Sequence, residues 1–536
     1  MGPPGIGKSA VGRELARVLG ASFLDMDEEI ERRTGRPNAR VIVDDGIERF
    51  RDLESALLAR LRPTPAWQVV ATGGGAPIRP ANREAMRRLG LVIGLRGSLA
   101  TVARGLAQTM GKREHLVREG VTPLAHAARV GRERRAAYAD VDAGFEVDRA
   151  TPLETAFAIA AWIVAARGLR VDVRGSRAYP VLVRVGVLDR VGAHLADLGW
   201  SGRVAVAGDA VAARRHLPRL LASLRDAGME PVALPVPRGE AAKSARAVER
   251  LWRRLAAARI GRDGGIVAVG GGATGDLAGF AAATYMRGVA LAHVPTTLLA
   301  MVDSSIGGKT GIDLPEGKNL AGAFHPPAAV FADPALLASL PRRQVSSGLA
   351  EVVKTAFLAD RESVGQVGRS AERVLDHDLA PATLLAALSA EVKAAVVSAD
   401  EREAGPREVL NFGHTLGHAY EAASGYRVTH GEAVAVGMVF ACALAEVLGL
   451  APRTLRPALE DLLVRCGLPV RARIPARAWD LLAVDKKARR GASRWVLPRR
   501  VGRFSEVTDV EPRALERAAL VVKGRPSPRR ADRGTK

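Results

Sequence analysis

Apolar residues recur at helical spacing over 10–19 and 50–62, and short apolar runs at 68–71 and 91–95 read as buried strands. Helix alternating with strand predicts an α/β unit with a parallel sheet. An apolar helix over 152–166 closes this unit, with Gly168 as its stop signal. The stretch 168–178, around Gly175-Ser176-Arg177, reads as a linker. A second α/β pattern follows, with strands near 181–185, 204–207 and 266–269 and a helix near 242–258. After about residue 335 the strands fade, and long Ala/Leu/Val helices dominate through 463. The expected domains are therefore 1–167, then an α/β lobe over 179–335 and a helical lobe over 336–523, with a ligand cleft between the two lobes. Residues 524–536 carry Arg525, Arg529, Arg530 and Arg533 among Pro, Ser and Gly, a composition that cannot bury a core and predicts a disordered basic tail.

Composition narrows the setting. The 536 residues are 48% hydrophobic and 25% charged, ordinary for a globular protein. No apolar run reaches the ~18 residues of a membrane span, so no membrane role is expected. Cys442 and Cys466 sit in no metal or redox pattern, which fits a reducing cytoplasm. The net charge of +22 admits nucleic acid or anionic small molecules. The basic residues are spread along the chain without a nucleic-acid motif, which disfavours nucleic acid and favours anionic substrates.

Gly2-Pro3-Pro4-Gly5-Ile6-Gly7-Lys8-Ser9 matches G-x-x-x-x-G-K-[ST]. In that pattern glycines turn backbone N–H groups toward phosphate, the lysine reaches the terminal phosphates, and the serine ligates Mg2+. The helix behind it adds its positive end. Taken alone, Asp25 and Asp27 read as a solvated helix start. With Phe23-Leu24-Asp25-Met26-Asp27, the segment Gly46-Ile47-Glu48-Arg49-Phe50-Arg51-Asp52-Leu53-Glu54 and Gly73-Gly74-Gly75-Ala76, the region from 1 to about 165 resembles shikimate kinase. The resemblance implies ATP at Gly5, Ile6, Gly7, Lys8, Ser9, Ala10 and Arg113, and Mg2+ at Ser9 and Asp25. It places shikimate at Asp27, Arg51, Gly74, Gly75 and Arg134, for transfer to shikimate 3-phosphate by positioning and charge neutralisation. The lid reads Arg113-Glu114-His115-Leu116, where the family has Arg-Pro-Leu-Leu. A P-loop follows the strand that carries it, yet only Met1 precedes Gly2. A strand of ~5–6 residues is thus absent, and its loss would expose unpaired backbone and apolar helix faces. The expectation is a start further upstream, with an inactive or decayed kinase as the alternative; the intact mass of the native protein separates them.

The second half carries different chemistry. Gly270-Gly271-Gly272-Ala273-Thr274-Gly275-Asp276 follows an apolar strand, and its small residues let the backbone approach a pyrophosphate. Lys309 and Lys318 lie in loops rich in Gly, Ser and Thr, which suggests anion capture. Glu351 opens a metal set with His414, His418 and His430; of ten histidines, these three fall within seventeen positions. His414 and His418 share a helix face at i,i+4, the spacing of a two-histidine metal site, but spacing does not say which two bind. Two His and one Glu would give a catalytic zinc with an open fourth position.

These motifs, with Pro237-Arg238-Gly239-Glu240-Ala241-Ala242-Lys243 and Asp485-Lys486-Lys487, closely resemble 3-dehydroquinate synthase over about 345 residues. The resemblance implies an α/β NAD-binding lobe, an α-helical metal-binding lobe and zinc (or cobalt) on Glu351, His414 and His430, with His418 facing substrate. NAD would meet Asp209, Glu240, Lys243, Gly272, Ala273, Thr274, Gly275, Asp276, Thr296, Thr297, Lys309, Lys318, Leu336, Leu337, Ala338 and Ser339. Substrate would meet Asp303, Lys309, Asn319, Lys354, Lys393, Arg407, Asn411, His418, Lys486 and Lys487, with Arg287 arriving from the second subunit of a homodimer. The implied reaction converts 3-deoxy-D-arabino-heptulosonate 7-phosphate to 3-dehydroquinate and phosphate, with NAD oxidising the C5 hydroxyl and being regenerated. Rival readings are a related NAD- and metal-dependent polyol dehydrogenase, which would not need Lys309, Lys318, Lys354 and Arg407, and a basic scaffold with dead sites.

Overall fold

The first region folds into the alternating helices and parallel strands its pattern predicts, but the strands pair in twos. In this computed structural model β1 (Ser22–Asp25) runs parallel to β2 (Gln68–Ala71), and β3 (Ile93–Arg96) to β4 (Ala143–Glu146). The backbone of Met1 lies along β3, its amino group donating to Ile93 O and its carbonyl accepting from Leu95 N at 2.8 Å. Helix Lys8–Val18 starts at the end of the glycine loop and turns Val11, Leu15 and Ala16 inward. Met26, Ile30, Phe50, Leu57 and Leu58 fill the core beside it. The structure describes all residues except 20, 63–67, 110–121, 489–493 and 525–536, so the expected basic tail beyond Gly524 and the lid with Arg113 lie outside the described residues. Two units result, Met1–Ile163 and Val164–Lys536.

The second unit is built on seven strands in the order β5-β6-β13-β10-β9-β7-β8. They are β5 (Leu169–Val173), β6 (Tyr179–Val183), β7 (Arg203–Gly208), β8 (Glu230–Pro235), β9 (Gly265–Gly270), β10 (Ala290–Pro295) and β13 (Ala329–Ala332). All pair in parallel except β5, which is antiparallel to β6. Central β9 is buried at every position, as expected of a parallel strand covered on both faces. The hairpin β11 (Lys309–Leu314) and β12 (Gly317–Phe324) stands apart from the sheet.

The segment expected as a linker, 168–178, is thus partly sheet. Its alternation sends Val171 and Val173 inward, which the short flanking Gly and Ser runs hid. Gly168 does end the helix Pro152–Arg167, at φ 78°, a conformation open to glycine.

Beyond residue 340 helices dominate, as expected, with one exception: β14 (Trp495–Arg500) and β15 (Arg503–Val507) form an antiparallel hairpin. Helices Leu379–Ala399 and His430–Val447 are long and apolar enough to cross a membrane by length and composition, against the expectation from sequence. Most of each is buried inside the protein, 61% and 78% of the apolar window, the position of core helices.

Candidate active sites

Glu351 lies mid-way along the helix Arg342–Ala359 and is fully buried. Its Oε1 is 3.4 Å from His414 Nε2 and 3.2 Å from His430 Nε2. His414 begins the helix His414–Ala423, its Nδ1 3.2 Å from Phe412 O. His430 begins the next helix, behind a Thr429/Glu432 capping box that fixes where that helix starts. One donor atom from each of Glu351, His414 and His430 falls within 4.8 Å of the others, the one such group among the described residues. His418 stands close, its ring centroid 5.1 Å from that of His414 and 5.8 Å from that of His430, but outside this donor set.

Burial alone would push His430 down, yet hydrogen bonds and charge from Glu351 and Glu421 lift it to about 9. Burial would raise Glu351, but Lys354 and the two imidazoles hold it well below the carboxylate range. The pocket concentrates acidic oxygen and imidazole nitrogen on one point where it holds positive charge. That chemistry fits a divalent zinc or cobalt ion.

A row of cations adjoins this point. Lys354 and Lys393 are almost fully buried, on two different helices. Asp303, from the segment Ala300–Ser304 of the α/β lobe, takes Lys393 at 2.5 Å and Lys354 at 3.5 Å, and Lys354 also pairs with Glu351. Burial would raise Asp303, but the two ammonium groups hold it at about 2. Burial drives Lys393 down to about 8, and Asp303 only partly opposes this. Arg407, 1% exposed, donates to Gly307 O at 3.1 Å while its Nε has no hydrogen-bond partner among the described residues. Lys309 pairs with Glu403, which also accepts from Asn411 at 3.2 Å. These pairs join the α/β lobe to the helical lobe.

The glycine turn lies in the α/β lobe, between β9 and the helix Gly272–Thr284. Gly271 starts the helix Gly272–Thr284 with no side-chain cap, and Thr296 N donates to Gly270 O at 2.9 Å. A Cβ on Gly272 would come 3.0 Å from Ser304 Oγ, a tight approach, while one on Gly271 would make ordinary contact with Thr297 at 3.4 Å. Buried Ser304 Oγ and Glu240 Oε2 have no hydrogen-bond partner among the described residues. A buried polar atom left unpaired carries a desolvation cost, which a dinucleotide seated on this turn would relieve. Lys243 binds Asp276 at 2.8 Å and the Asn319 side chain, while Lys318 binds Glu240 at 2.9 Å. Thr274 is buried, Ala273 and Gly275 continue the turn, and Asp209 caps its own helix at Val211 N and Ala212 N. Leu336, Leu337, Ala338 and Ser339 form a short 3-10 turn, Ser339 Oγ lying 3.4 Å from His216 Nε2.

In the first unit Gly5 and Gly7 take φ of 82° and 94°, and helix Lys8–Val18 follows without a side-chain cap. Lys8 Nζ donates to Pro3 O at 3.0 Å, and Ser9 and Ala10 open the helix. Asp25 caps the next helix, accepting from Asp27 N at 2.9 Å. Arg134 and Tyr138 both donate to Gly74 O, at 3.0 and 2.6 Å. The Arg51 guanidinium fills the space a Cβ on Gly75 would need, and pairs with fully buried Glu54 at 2.5 Å. Glu54 Oε1 and Thr72 Oγ1 are buried and have no hydrogen-bond partner among the described residues.

Family models for the N- and C-terminal parts of 3-dehydroquinate synthase match 233–347 and 348–488, and that for shikimate kinase matches 4–163. The 3-dehydroquinate synthase of Symbiobacterium thermophilum is 45% identical over 349 residues, 64% of this chain and 97% of that protein. The chain belongs to the 3-dehydroquinate synthase family. The Thermobifida fusca 3-dehydroquinate synthase is 47% identical over 333 residues, 61% of this chain and 89% of that protein. Among solved structures, 2-epi-5-epi-valiolone synthase from Streptomyces hygroscopicus subsp. jinggangensis 5008, with NAD+ and Zn2+ bound, is 29% identical at a TM-score of 0.60, covering 66% of this chain and 99% of that one. A 2-deoxy-scyllo-inosose synthase complexed with carbaglucose-6-phosphate, NAD+ and Co2+ is 28% identical at 0.61, with the same coverage. The chain thus carries a shikimate kinase domain followed by 3-dehydroquinate synthase domains, a kinase and a lyase in one polypeptide.

Within the 3-dehydroquinate synthase unit, Asp303, Glu351, Lys354, Lys393, His414 and His430 come together in one set of contacts, while Lys243 meets Asp276 and Asn319 and Lys318 meets Glu240. Arg287 joins neither group: it sits on an exposed turn where Met286 and Arg287 both take positive φ, 51° and 62°. Lys486 and Lys487 lie on the helix Ala476–Ala488, and their side chains are outside the described residues. Four carboxylates escaped the reading of the sequence: Glu54, Glu401, Glu403 and Glu421. Glu401 takes Ser176 N at 2.7 Å and Ser176 Oγ at 2.6 Å, tying the former linker to the loop that carries Arg407. Glu421 was within reach, since it continues the His414/His418 face at i+7.

Proposed function

We propose that the synthase unit converts 3-deoxy-D-arabino-heptulosonate 7-phosphate to 3-dehydroquinate and phosphate, and that the first unit phosphorylates shikimate from Mg·ATP. The observation that carries the first part is the buried group of Lys354, Lys393 and Arg407, three cations against the two carboxylates, Asp303 and Glu351, that pair with the lysines. Buried cations in such excess call for an anion, and a sugar phosphate bearing a carboxylate supplies two. A polyol would leave that excess unmatched, which argues against the dehydrogenase reading.

When bound, NAD would accept and return a hydride, and a zinc or cobalt ion on Glu351, His414 and His430 would polarise the reacting oxygen. Lys354 and Lys393, with Arg407, neutralise the phosphate and carboxylate and hold the substrate in register. Lys309 exchanges Glu403 for substrate, which frees Asn411 as well. His418, kept neutral by burial and by the neighbouring imidazoles, can accept or pass on a hydroxyl proton. Glu240, Lys243 and Lys318 line the dinucleotide's side of the site. In the kinase unit, Arg51 and Arg134 would hold the shikimate carboxylate, Asp27 its hydroxyls, and Lys8 and Ser9 the phosphates and Mg2+. The reading includes a cytoplasmic homodimer in which Arg287 enters the partner's cleft; its exposed, left-handed turn is consistent with use outside its own protomer.

The test is an assay of the purified full-length chain for both reactions. Phosphate release from the heptulosonate phosphate should require metal and NAD without net NADH accumulation, and ADP formation should require shikimate. Release that survives complete metal removal, or steady NADH production from glycerol, would sink the synthase assignment.

A further inference from the structure

We propose that Glu421 is a positioning residue that ties metal loading at His430 to occupancy of Lys318 on the opposite lobe. This rests on the reading of Glu351, His414 and His430 as metal ligands and of Lys318 as a dinucleotide contact. Glu421 is 6% exposed and projects from the same helix face as His414. Its Oε2 lies 3.3 Å from His430 Nδ1, so an N–H there donates to Glu421 and leaves the Nε2 lone pair turned toward Glu351. A carboxylate behind a ligating imidazole fixes its tautomer and raises its basicity.

The other oxygen of Glu421 meets Lys318 Nζ at 3.4 Å. Lys318 reaches across from β12, held also by Glu240 and lying 4.3 Å over the Tyr426 ring. Its charge drains Glu421 of some of the electron density that would otherwise strengthen His430 as a donor. An anionic dinucleotide that draws Lys318 toward itself returns that density to Glu421, so dinucleotide and metal bind with positive coupling, felt equally from either side.

The experiment is titration of metal-free full-length protein with Co2+, followed by its visible absorption, with and without NAD and without substrate. Glu421→Gln, nearly isosteric, should bind Co2+ about 10–100-fold more weakly, with a shifted cobalt band. Lys318→Met should move the other way, binding Co2+ more tightly, and should lose the NAD enhancement seen in the wild type. Co2+ uptake lost in His414→Ala but unchanged in Glu421→Gln overturns the proposal alone. Uptake undisturbed by His414→Ala overturns the metal reading and the proposal with it. Weakened binding in Glu421→Gln with NAD enhancement intact in Lys318→Met overturns the coupling and leaves Glu421 as a local support for His430.

Discussion

The two units build anion sites in opposite ways. The kinase unit presents backbone: a glycine loop with left-handed φ at Gly5 and Gly7, an uncapped helix start, and a Gly74 carbonyl that takes two side-chain donors. The synthase unit presents long charged side chains, buried and already paired with one another across two lobes, as in Asp303 with Lys354 and Lys393. A backbone site needs no compensation when empty, because its dipoles are small and half-solvated. A side-chain site must balance buried charge in both the empty and filled states. The synthase cleft should therefore be the more sensitive of the two to single charge removals.

That contrast can be broken most directly by removing one lysine from each site. Lys354→Met leaves Glu351 and Asp303 without their shared cation, and should cost about 3–5 kcal/mol of stability in the metal-free synthase unit. Lys8→Met, at the part-exposed start of its helix, removes a hydrogen bond to the Pro3 carbonyl and should cost no more than about 1 kcal/mol. Hydrogen exchange followed by mass spectrometry reads each unit separately, and equal losses would erase the distinction.

The next effect belongs to the sheet. His293, on β10, is held down to about 4 by burial and then by the charge of His325. Its folded form therefore stays neutral where the unfolded chain takes up a proton. Stability from this group is complete above pH 6.5 and falls as pH drops from 6.5 through about 4, a loss of roughly 3 kcal/mol. Urea midpoints across this range should slope for the wild type and flatten for His293→Gln; parallel curves would remove His293 from the account.

In the kinase, Glu54→Ala would free Arg51 from its only described carboxylate partner. The shikimate KM should rise about tenfold, near 1.4 kcal/mol, with a smaller change in kcat, as coupled ADP formation would show. The smallest effect is expected at the rim: Arg203→Ala removes an ion pair whose side chains are 44% and 70% exposed, and stability should move by less than about 1 kcal/mol.

Much of this was legible from residue order. The glycine loops, the helix ahead of Gly168 and the buried run of β9 follow from local periodicity and the conformational demands of glycine. β5 was missed because five residues between a glycine and a Ser/Arg turn are too few for a periodic signal, and only pairing with β6 makes them a strand. β14 and β15 were missed for the same reason.

By itself the sequence determined the family, the two-enzyme composition, the glycine cradles and the set of metal-binding candidates, because those depend on residue types at short, fixed spacings. Spacing alone left open which histidines share Glu351; the resemblance named His414 and His430, and only the tertiary structure brings them to it. His430 comes from another helix and approaches to 3.2 Å, whereas His418, with ideal helical spacing from His414, stays outside the donor set. Coordination and ion pairing act over three to four ångströms in space, and a chain folded through two lobes brings together atoms that no spacing rule connects. Glu421, Glu401 and Glu403 acquire their roles in the same way, from partners 9, 225 and 94 residues away.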